Sequence, residues 1–362
     1  MGKNYLSFPP GYDRKFNYML LKLKQILAQP NIALDLGTAN TRIYASGPGK
    51  ITEKPSVIRH IQDNKFTQIS DEYLSYLNSK LVSMPLRGGV IVDIENAIAL
   101  LKPLVKRTRK WLMPPISLAC APTDTSDKER NLLAEAVLHA GASHVAIIPE
   151  VWAAAMGAGI DVTSPCSQML IDIGEGVTDM AIIRDGRLIY TSAVRTACSD
   201  LQKSIRSAIM ARHKLYIYPH EAERLTHEIS SISQQQPSRH KLIKVNGMDV
   251  VKRCSETIEV DSRDISDAME PVLNKILKMI EVGLQKFPES TSREIAQSGI
   301  CLTGGGACIN GIDKLIGFKT NLKVKIAYDP MHSVINGAIK ALNYWKKNAY
   351  WWKNIVWPTL PS

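Results

Sequence analysis

From residue 31 onward, short continuous apolar runs alternate with longer stripes of apolar positions at helical spacing. Asn31–Asp35 and Thr41–Ala45 read as strands around a Gly-containing turn, and Ser46–Lys50 (SGPGK) reads as a second turn leading into another strand. Residues 60–89 are polar and weakly patterned, which predicts a small peripheral subdomain over about 54–90. Ile94–Arg109 has helical spacing with Pro103 inside it, a position that can kink a helix. Ile116–Cys120 reads as a buried strand. The run TDTSDKERNLLAEAVLHAG opens a helix with hydroxyl and acidic residues and closes it at Gly141. Val145–Ile148 is again a strand, and Glu150–Gly159 is a helix of small residues.

The pattern then restarts. Gln168–Asp172 is a strand, GEGVT a turn and Asp179–Arg184 a strand, and Asp185-Gly186 signals a hairpin before Arg187–Thr191. DLGTANTRIYASGPGKI and DIGEGVTDMAIIRDGRLI share one order of elements: strand, Asp-x-Gly turn, strand, Gly turn, strand. The repeat predicts two α/β halves of common plan, joined near Thr163–Ser167. The second half continues with helices over Ser199–His213 and His220–Ser230, then a polar insert at Ser231–Asp249. A long helix over Asp264–Phe287 leads to the strand in GICLTGGGACING. Val334–Trp357 begins as a helix and turns strongly aromatic.

Composition changes this picture little. The 362 residues are 45% hydrophobic and 22% charged, ordinary for a globular chain long enough for two domains. No apolar run reaches membrane-spanning length and no signal-peptide pattern opens the chain. The six cysteines (Cys120, Cys166, Cys198, Cys254, Cys301, Cys308) form no CxxC pair, so neither a zinc site nor a disulfide framework is expected, and a reduced setting with mostly buried thiols is. The formal charge of +11 points to an anionic partner: nucleic acid, nucleotide or lipid. No helix-turn-helix, RNP or zinc-finger signature is present, which disfavours nucleic acid.

Both ends carry candidate contact surfaces. In Arg14–Leu27, Phe16, Met19, Leu20, Leu23, Ile26 and Leu27 share a helical stripe, and Lys15, Lys22 and Lys24 lie largely off it. Such a helix suits a membrane interface, or it docks on the protein body. The tail holds Trp345, Trp351, Trp352 and Trp357 among lysines, which suits a membrane interface, a protein contact or a fold-back onto its own domain.

The two Asp-x-Gly turns carry the chemistry. Gly after a strand lets backbone N–H groups turn outward as a nest for phosphate oxygens, and Thr38, Asn40 and Thr41 add donors. An aspartate repels phosphate but can hold Mg²⁺ through water, and the ion then bridges to the phosphate. Two such turns facing across a cleft, with Gly304, Gly305 and Gly306 after a third strand, make a polyphosphate clamp.

These stretches resemble the MreB family of bacterial actins. IALDLGTANTRIYASGPGKITEKPSVI, RGGVIVD, HAGASHVAIIPEVWAAAMGAGIDV, LIDIGEGVTDMAII, AERLTHEI and LTGGGACINGIDKLI occur in that family's order over about residues 31–342. Sugar kinases and heat-shock chaperone ATPases share the two phosphate turns but not this set. The resemblance implies an actin-like ATPase fold: two duplicated α/β domains around a nucleotide cleft, each with a smaller subdomain. On that plan, residues 1–30 are a basic extension, 31–165 domain I and 166–320 domain II with a subdomain at about 205–265. Residues 321–345 return to domain I, and 346–362 are an aromatic tail.

The resemblance also implies roles. ATP with Mg²⁺ is the expected ligand, with Asp35 and Asp172 positioning the ion through water. Gly37, Thr38, Ala39 and Asn40, with Gly174, Glu175 and Gly176, would contact the phosphates. Glu150 would orient the attacking water and Thr178 would assist it. Glu223, Arg224, Leu225 and Thr226 would line the nucleoside, as would Gly304, Gly305, Gly306 and Ala307. The implied activity is weak ATP hydrolysis coupled to filament turnover. The implied partners are other copies of the chain, the inner face of the cytoplasmic membrane, and the proteins of wall synthesis and rod shape. The chain departs from the family where Ala197, Cys198 and Ser199 replace Gly-Gly-Asp, where Thr226 replaces a lysine and where Glu175 replaces a glycine. These departures keep open a non-hydrolysing paralogue that co-polymerises with or regulates a true MreB, and the fold alone keeps open a small-molecule kinase.

Overall fold

The computed structural model describes residues 31–47, 49–61, 65–68, 82–109, 113–228 and 241–345. The basic segment Arg14–Leu27, part of the first peripheral subdomain and the aromatic tail after Trp345 lie outside the described residues. The first half opens with three antiparallel strands, β1 (Asn31–Leu36), β2 (Asn40–Ala45) and β3 (Lys50–Pro55). Short strands follow: β4 (Ile58–Ile61), β5 (Lys65–Gln68) and β6 (Val82–Ser83) form a small sheet, and β7 (Leu86–Arg87) pairs with β8 (Val90–Ile91). Helix α1 (Ile94–Thr108), strand β9 (Ile116–Ala121), helix α2 (Asp127–His139), strand β10 (His144–Pro149) and helix α3 (Glu150–Gly157) complete the half. Each helix start follows from sequence. Asp93 caps α1 by accepting from Asn96 N–H, and Ser126 with Glu129 forms a reciprocal capping box on α2.

The second half repeats the plan. Strands β11 (Gln168–Ile173), β12 (Thr178–Arg184) and β13 (Arg187–Val194) are antiparallel, and helices α4 (Cys198–His213) and α5 (Pro219–Glu228) follow. Between these helices lies β14 (Leu215–Tyr216), which pairs with β15 (Leu242–Asp249), itself paired with β16 (Cys254–Asp261). Helices α6 (Ser262–Leu284) and α7 (Glu289–Ser298) lead to β17 (Ile300–Thr303), α8 (Ile312–Thr320), β18 (Val324–Ile326) and α9 (Ser333–Trp345). The sheets run β10-β9-β1-β2-β3 and β18-β17-β11-β12-β13, each with parallel pairing on one side of the first strand and the hairpin on the other. The predicted duplication is therefore present in strand order and direction.

Three expectations change. The polar insert over Ser231–Asp249 holds strand β15, whose inward positions Ile243, Val245 and Gly247 alternate with exposed Leu242, Lys244, Asn246 and Met248. The return to domain I begins later than residue 321, because β18 still pairs with β17 and only α9 packs on β1, β2 and β9. Of the thiols, only Cys120 and Cys198 are buried, and Cys166, Cys254 and Cys308 are exposed.

Period-two alternation assigns the strands to three cores. Ile32, Leu34 and Leu36 face α1 and α2, and Met169, Ile171 and Ile173 face α4 and α6. Ala33, Leu118, Leu170 and Ala181 face the opposite way, toward α3 and α9, in a core shared by both halves. These two helices touch backbone to backbone. A Cβ on Gly157 would overlap the carbonyl of Ser333, and one on Gly337 would overlap the carbonyl of Ala153. Gly337→Ala is therefore expected to destabilise the chain by about 1–3 kcal/mol, because two packed helices must separate to admit the methyl. Thermal unfolding would read this, and an unchanged midpoint would show that the helices slide apart freely.

Candidate functional site

Both halves build the same turn at the end of their first strand. In the first, Leu36 pairs with Thr41 and the Gly37 N–H donates to the Asn40 carbonyl at 3.1 Å. In the second, Ile173 pairs with Thr178 and the Gly174 N–H donates to the Val177 carbonyl at 2.9 Å. A Cβ on Gly37 would lie 2.8 Å from the Asn40 oxygen, so this position admits no side chain without a backbone shift. Ser56 braces the first turn: its hydroxyl donates to the Gly37 carbonyl at 2.6 Å, and its N–H donates to the Ala39 carbonyl at 2.7 Å.

The turns meet across a third element, the Gly88-Gly89 turn between β7 and β8, where both residues have positive φ (58° and 76°). Thr38 Oγ1 accepts from the Gly89 N–H at 2.9 Å. A Cβ on Gly176 would lie 2.7 Å from Thr38 Oγ1 and 2.8 Å from the Gly88 nitrogen. The two jaws thus close on one another, with glycine the only residue that fits at the contact. Pairs behind the turns also join the halves. Arg195 bridges to Asp124 at 2.9 Å and Glu129 at 3.0 Å, and Asp179 accepts from both the hydroxyl and the N–H of Thr123.

Four carboxylates gather beneath the turns. Asp35 and Asp172 are 4% and 6% exposed. Burial pushes Asp172 up to about 7, with the charges of Asp179 and Asp35 adding to it. Asp35 is also raised by burial, against the opposing pull of Arg42. Glu150, the first residue of α3, lies well above its usual range through burial and then through Asp35, Asp172 and Asp179. The fourth, Asp179, was not among the residues picked out from the sequence. Burial raises it to about 7, and its Oδ2 is buried without a hydrogen-bond partner. Its signal was in the repeat: Asp179 stands across its hairpin from Asp172, where the first half has Arg42 across from Asp35.

Buried hard oxygens with an unpaired acceptor suit a divalent cation. Among the described residues no three His, Cys, Asp or Glu side chains are close enough to ligate one ion directly. An ion that keeps its waters, as Mg²⁺ does, would suit this donor set, and Asp35, Asp172 and Asp179 are the residues that would hold it through that shell.

The Gly-rich loop folds onto the second turn. Gly304 has φ 81° and its N–H donates to the Pro330 carbonyl at 2.9 Å. Side chains on Gly304 and Gly306 would collide with Asp172 and Ile173, whereas a Cβ on Gly305 meets nothing within 4 Å. Gly305 alone faces open space where a flat ring could lie against backbone.

Several predicted residues turn elsewhere. Ala307 is wholly buried in the second-half core, as is Leu225. Thr226 is also fully buried and returns its hydroxyl to the Ala222 carbonyl at 2.8 Å, because helix periodicity points both residues of α5 inward. Glu223 remains exposed, and Arg224 pairs with Glu221 at 2.8 Å and with Glu228. Thr178 donates its hydroxyl to the Thr196 carbonyl at 2.8 Å from a fully buried position, a bond that braces β12. The altered turn at Ala197, Cys198 and Ser199 carries no strain. Ala197 is extended (φ −160°), and Asp200 supplies the acid by accepting from the Ala197 N–H at 3.1 Å. Glu175 accepts from Gln202 at 3.3 Å and is raised to about 7 by burial and then Glu223.

The MreB/Mbl protein family model matches residues 29–350. The cell shape-determining protein Mbl of Bacillus subtilis is 30% identical over 314 residues, covering 85% of this chain and 94% of that protein. The cell shape-determining protein MreB of Escherichia coli is 30% identical over 336 residues, covering 90% and 96%. Among solved structures, MreB5 of Spiroplasma citri bound to AMPPNP superposes with a TM-score of 0.81 at 30% identity, covering 89% of this chain and 98% of that one. The MamK double helical filament gives 0.75 at 20% identity over 87% of this chain and 99% of that one, a likeness of fold.

Proposed function

The chain belongs to the MreB/Mbl family, and on that premise we propose that it binds Mg²⁺-ATP between its two halves and assembles into filaments in the loaded state. The observation that carries this reading is the pair of matching Asp-x-Gly hairpins with Asp35, Asp172 and Asp179 buried beneath them and Glu150 half-buried beside them. The N–H groups of Gly37 and Gly174 close their own turns, so the phosphate oxygens are received by the rest of Gly37–Asn40 and Gly174–Gly176, and Gly305 leaves room for the base. Mg²⁺, when bound, supplies the charge that lets phosphates lie beside aspartates. Asp35, Asp172 and Asp179 hold its waters, and Glu150 orients the attacking water. Ligand between the jaws bears on both halves at once and so sets their relative angle, which is how loading governs self-association.

The filaments act at the inner face of the cytoplasmic membrane and organise wall synthesis and rod shape; the names of the Mbl and MreB relatives, cell shape-determining proteins, support the part of this reading that concerns shape. Membrane attachment falls to residues 14–27, to the tryptophan-rich tail, or to both. Among the described residues no helix is long and apolar enough to cross a membrane.

A second reading, a non-hydrolysing paralogue, is favoured by one observation. The Thr178 hydroxyl is committed to Thr196, and the first N–H groups of α4 are bonded to the carbonyls of Gly174 and Glu175. Sedimentation with a phosphate assay separates the two. With Mg²⁺-ATP the pelleted fraction is expected to rise above a threshold protein concentration and phosphate to appear with it. Pelleting without phosphate supports the paralogue, and no pelleting at any concentration overturns the filament reading.

A further inference from the structure

The two jaws differ in the residues that stand beside their aspartates. Across the first sheet, Asp35, Arg42 and Glu53 are register neighbours on β1, β2 and β3. Across the second, the corresponding row is Asp172, Asp179 and Ala193. The first row thus carries its own cation and a second acceptor for it, whereas the second carries two unshielded carboxylates. Arg42 is 9% exposed, and its guanidinium is shared: Nη1 lies 3.2 Å from Asp35 Oδ2, and Nη2 lies 2.7 Å from Glu53 Oε1. Its Nε is buried without a partner, so the group is not locked in place by a full set of bonds. Glu53 is held from its other side by His332 Nε2 at 3.2 Å, and His332 Nδ1 lies 2.8 Å from Asp329 Oδ1. The same segment accepts the Gly304 N–H at the Pro330 carbonyl, so one short turn touches both the Gly-rich loop and the Arg42 row.

Resting on the nucleotide reading above, we propose that Arg42 is a resident counter-ion that competes with Mg²⁺ for Asp35, and that Glu53 is the acceptor to which it withdraws when the ion arrives. A divalent charge held near Asp35 through water repels a guanidinium a few ångströms away, and burial strengthens that repulsion. Arg42 has a place to go without being desolvated alone, because Glu53 already accepts from it over the shorter contact. Planar Arg is suited to such sharing, since its fork serves two carboxylates at once. Arg42 is thus a positioning residue that sets how much of the Asp35 charge the ion receives, and His332 tunes it by sharing Glu53.

This role makes two substitutions act in opposite directions. Arg42→Met removes the competitor, so the Mg²⁺ concentration giving half-maximal ATP binding falls, by about fivefold. Glu53→Gln removes the negative charge of the alternative acceptor, which tightens Arg42 on Asp35 and raises that concentration by a similar factor. The measurement is calorimetric titration of ATP into the full chain at a series of Mg²⁺ concentrations at pH 8, with circular dichroism melting to verify that each variant folds. If Arg42 merely supports the hairpin, both substitutions weaken binding, and that result overturns the inference, as does no shift in either. If Arg42→Met does not fold, Glu53→Gln decides alone: an unchanged or lowered Mg²⁺ requirement rejects the competition. Absence of Mg²⁺-dependent ATP binding in the unsubstituted chain removes the nucleotide reading, and this inference with it. Normal binding with the wrong variant response removes only the inference.

Discussion

Asp172→Asn is expected to lower Mg²⁺-dependent ATP affinity by about 100-fold or more while making the ligand-free protein more stable. Both effects have one cause. Asp172 is buried beside Asp179 and Asp35, whose charges add to the cost of ionising it, and the Thr303 hydroxyl opposes that only in part. Its ionised form is costly in the free chain and useful when a cation is present. The sign of the pH dependence follows. The folded value of about 7 lies above the ordinary 3.8, so across that interval the folded chain holds a proton that the unfolded chain has released. Stability of the free protein therefore falls as pH rises from about 4 to about 7, and the full cost is present above that. Melting curves of the nucleotide-free protein between about pH 5 and 8 should decline less steeply in Asp172→Asn than in the unsubstituted chain. Unchanged ATP affinity in a folded Asp172→Asn protein would sink the site assignment.

Glu150→Gln is the second large effect. The substitution keeps the size and the helix start but removes the carboxylate that faces the other three acids. Nucleotide binding should survive, because Glu150 belongs to neither phosphate turn. Phosphate release should fall by about 10² to 10⁴-fold, the usual contribution of a positioned acid or base. Burial and the neighbouring acids raise its proton affinity, the direction required of a group that takes a proton from water. Single-turnover release measured beside a binding titration separates the two quantities. An unchanged rate in the variant would remove Glu150 from the chemistry, and no release from the unsubstituted chain would favour the paralogue.

The duplicated hairpins were legible in the sequence because their chemistry is local. Asp-x-Gly after an apolar run fixes a turn through the glycine backbone, and it does so twice at Gly37 and Gly174. The helix starts at Asp93 and Ser126 were legible for the same reason, as caps bonded within a few residues. Strand β15 was not legible. Its two inward apolar residues, Ile243 and Val245, are outnumbered by polar neighbours, and its partner β16 is brought to it only by the folded hairpin.

The sequence by itself determined two α/β halves, two phosphate-type turns with an aspartate at each, and a small-residue helix led by Glu150. All of these rest on neighbours close along the chain. Tertiary structure alone decided which side chains reach the cleft, because that depends on face and on long-range packing. It turned Thr178, Leu225, Thr226 and Ala307 inward and placed Asp179 directly across from Asp172. It set Gly88-Gly89, fifty residues from Thr38 in the chain, between the jaws. It also gave the first aspartate a cation and the second none, through strand register that no local pattern encodes.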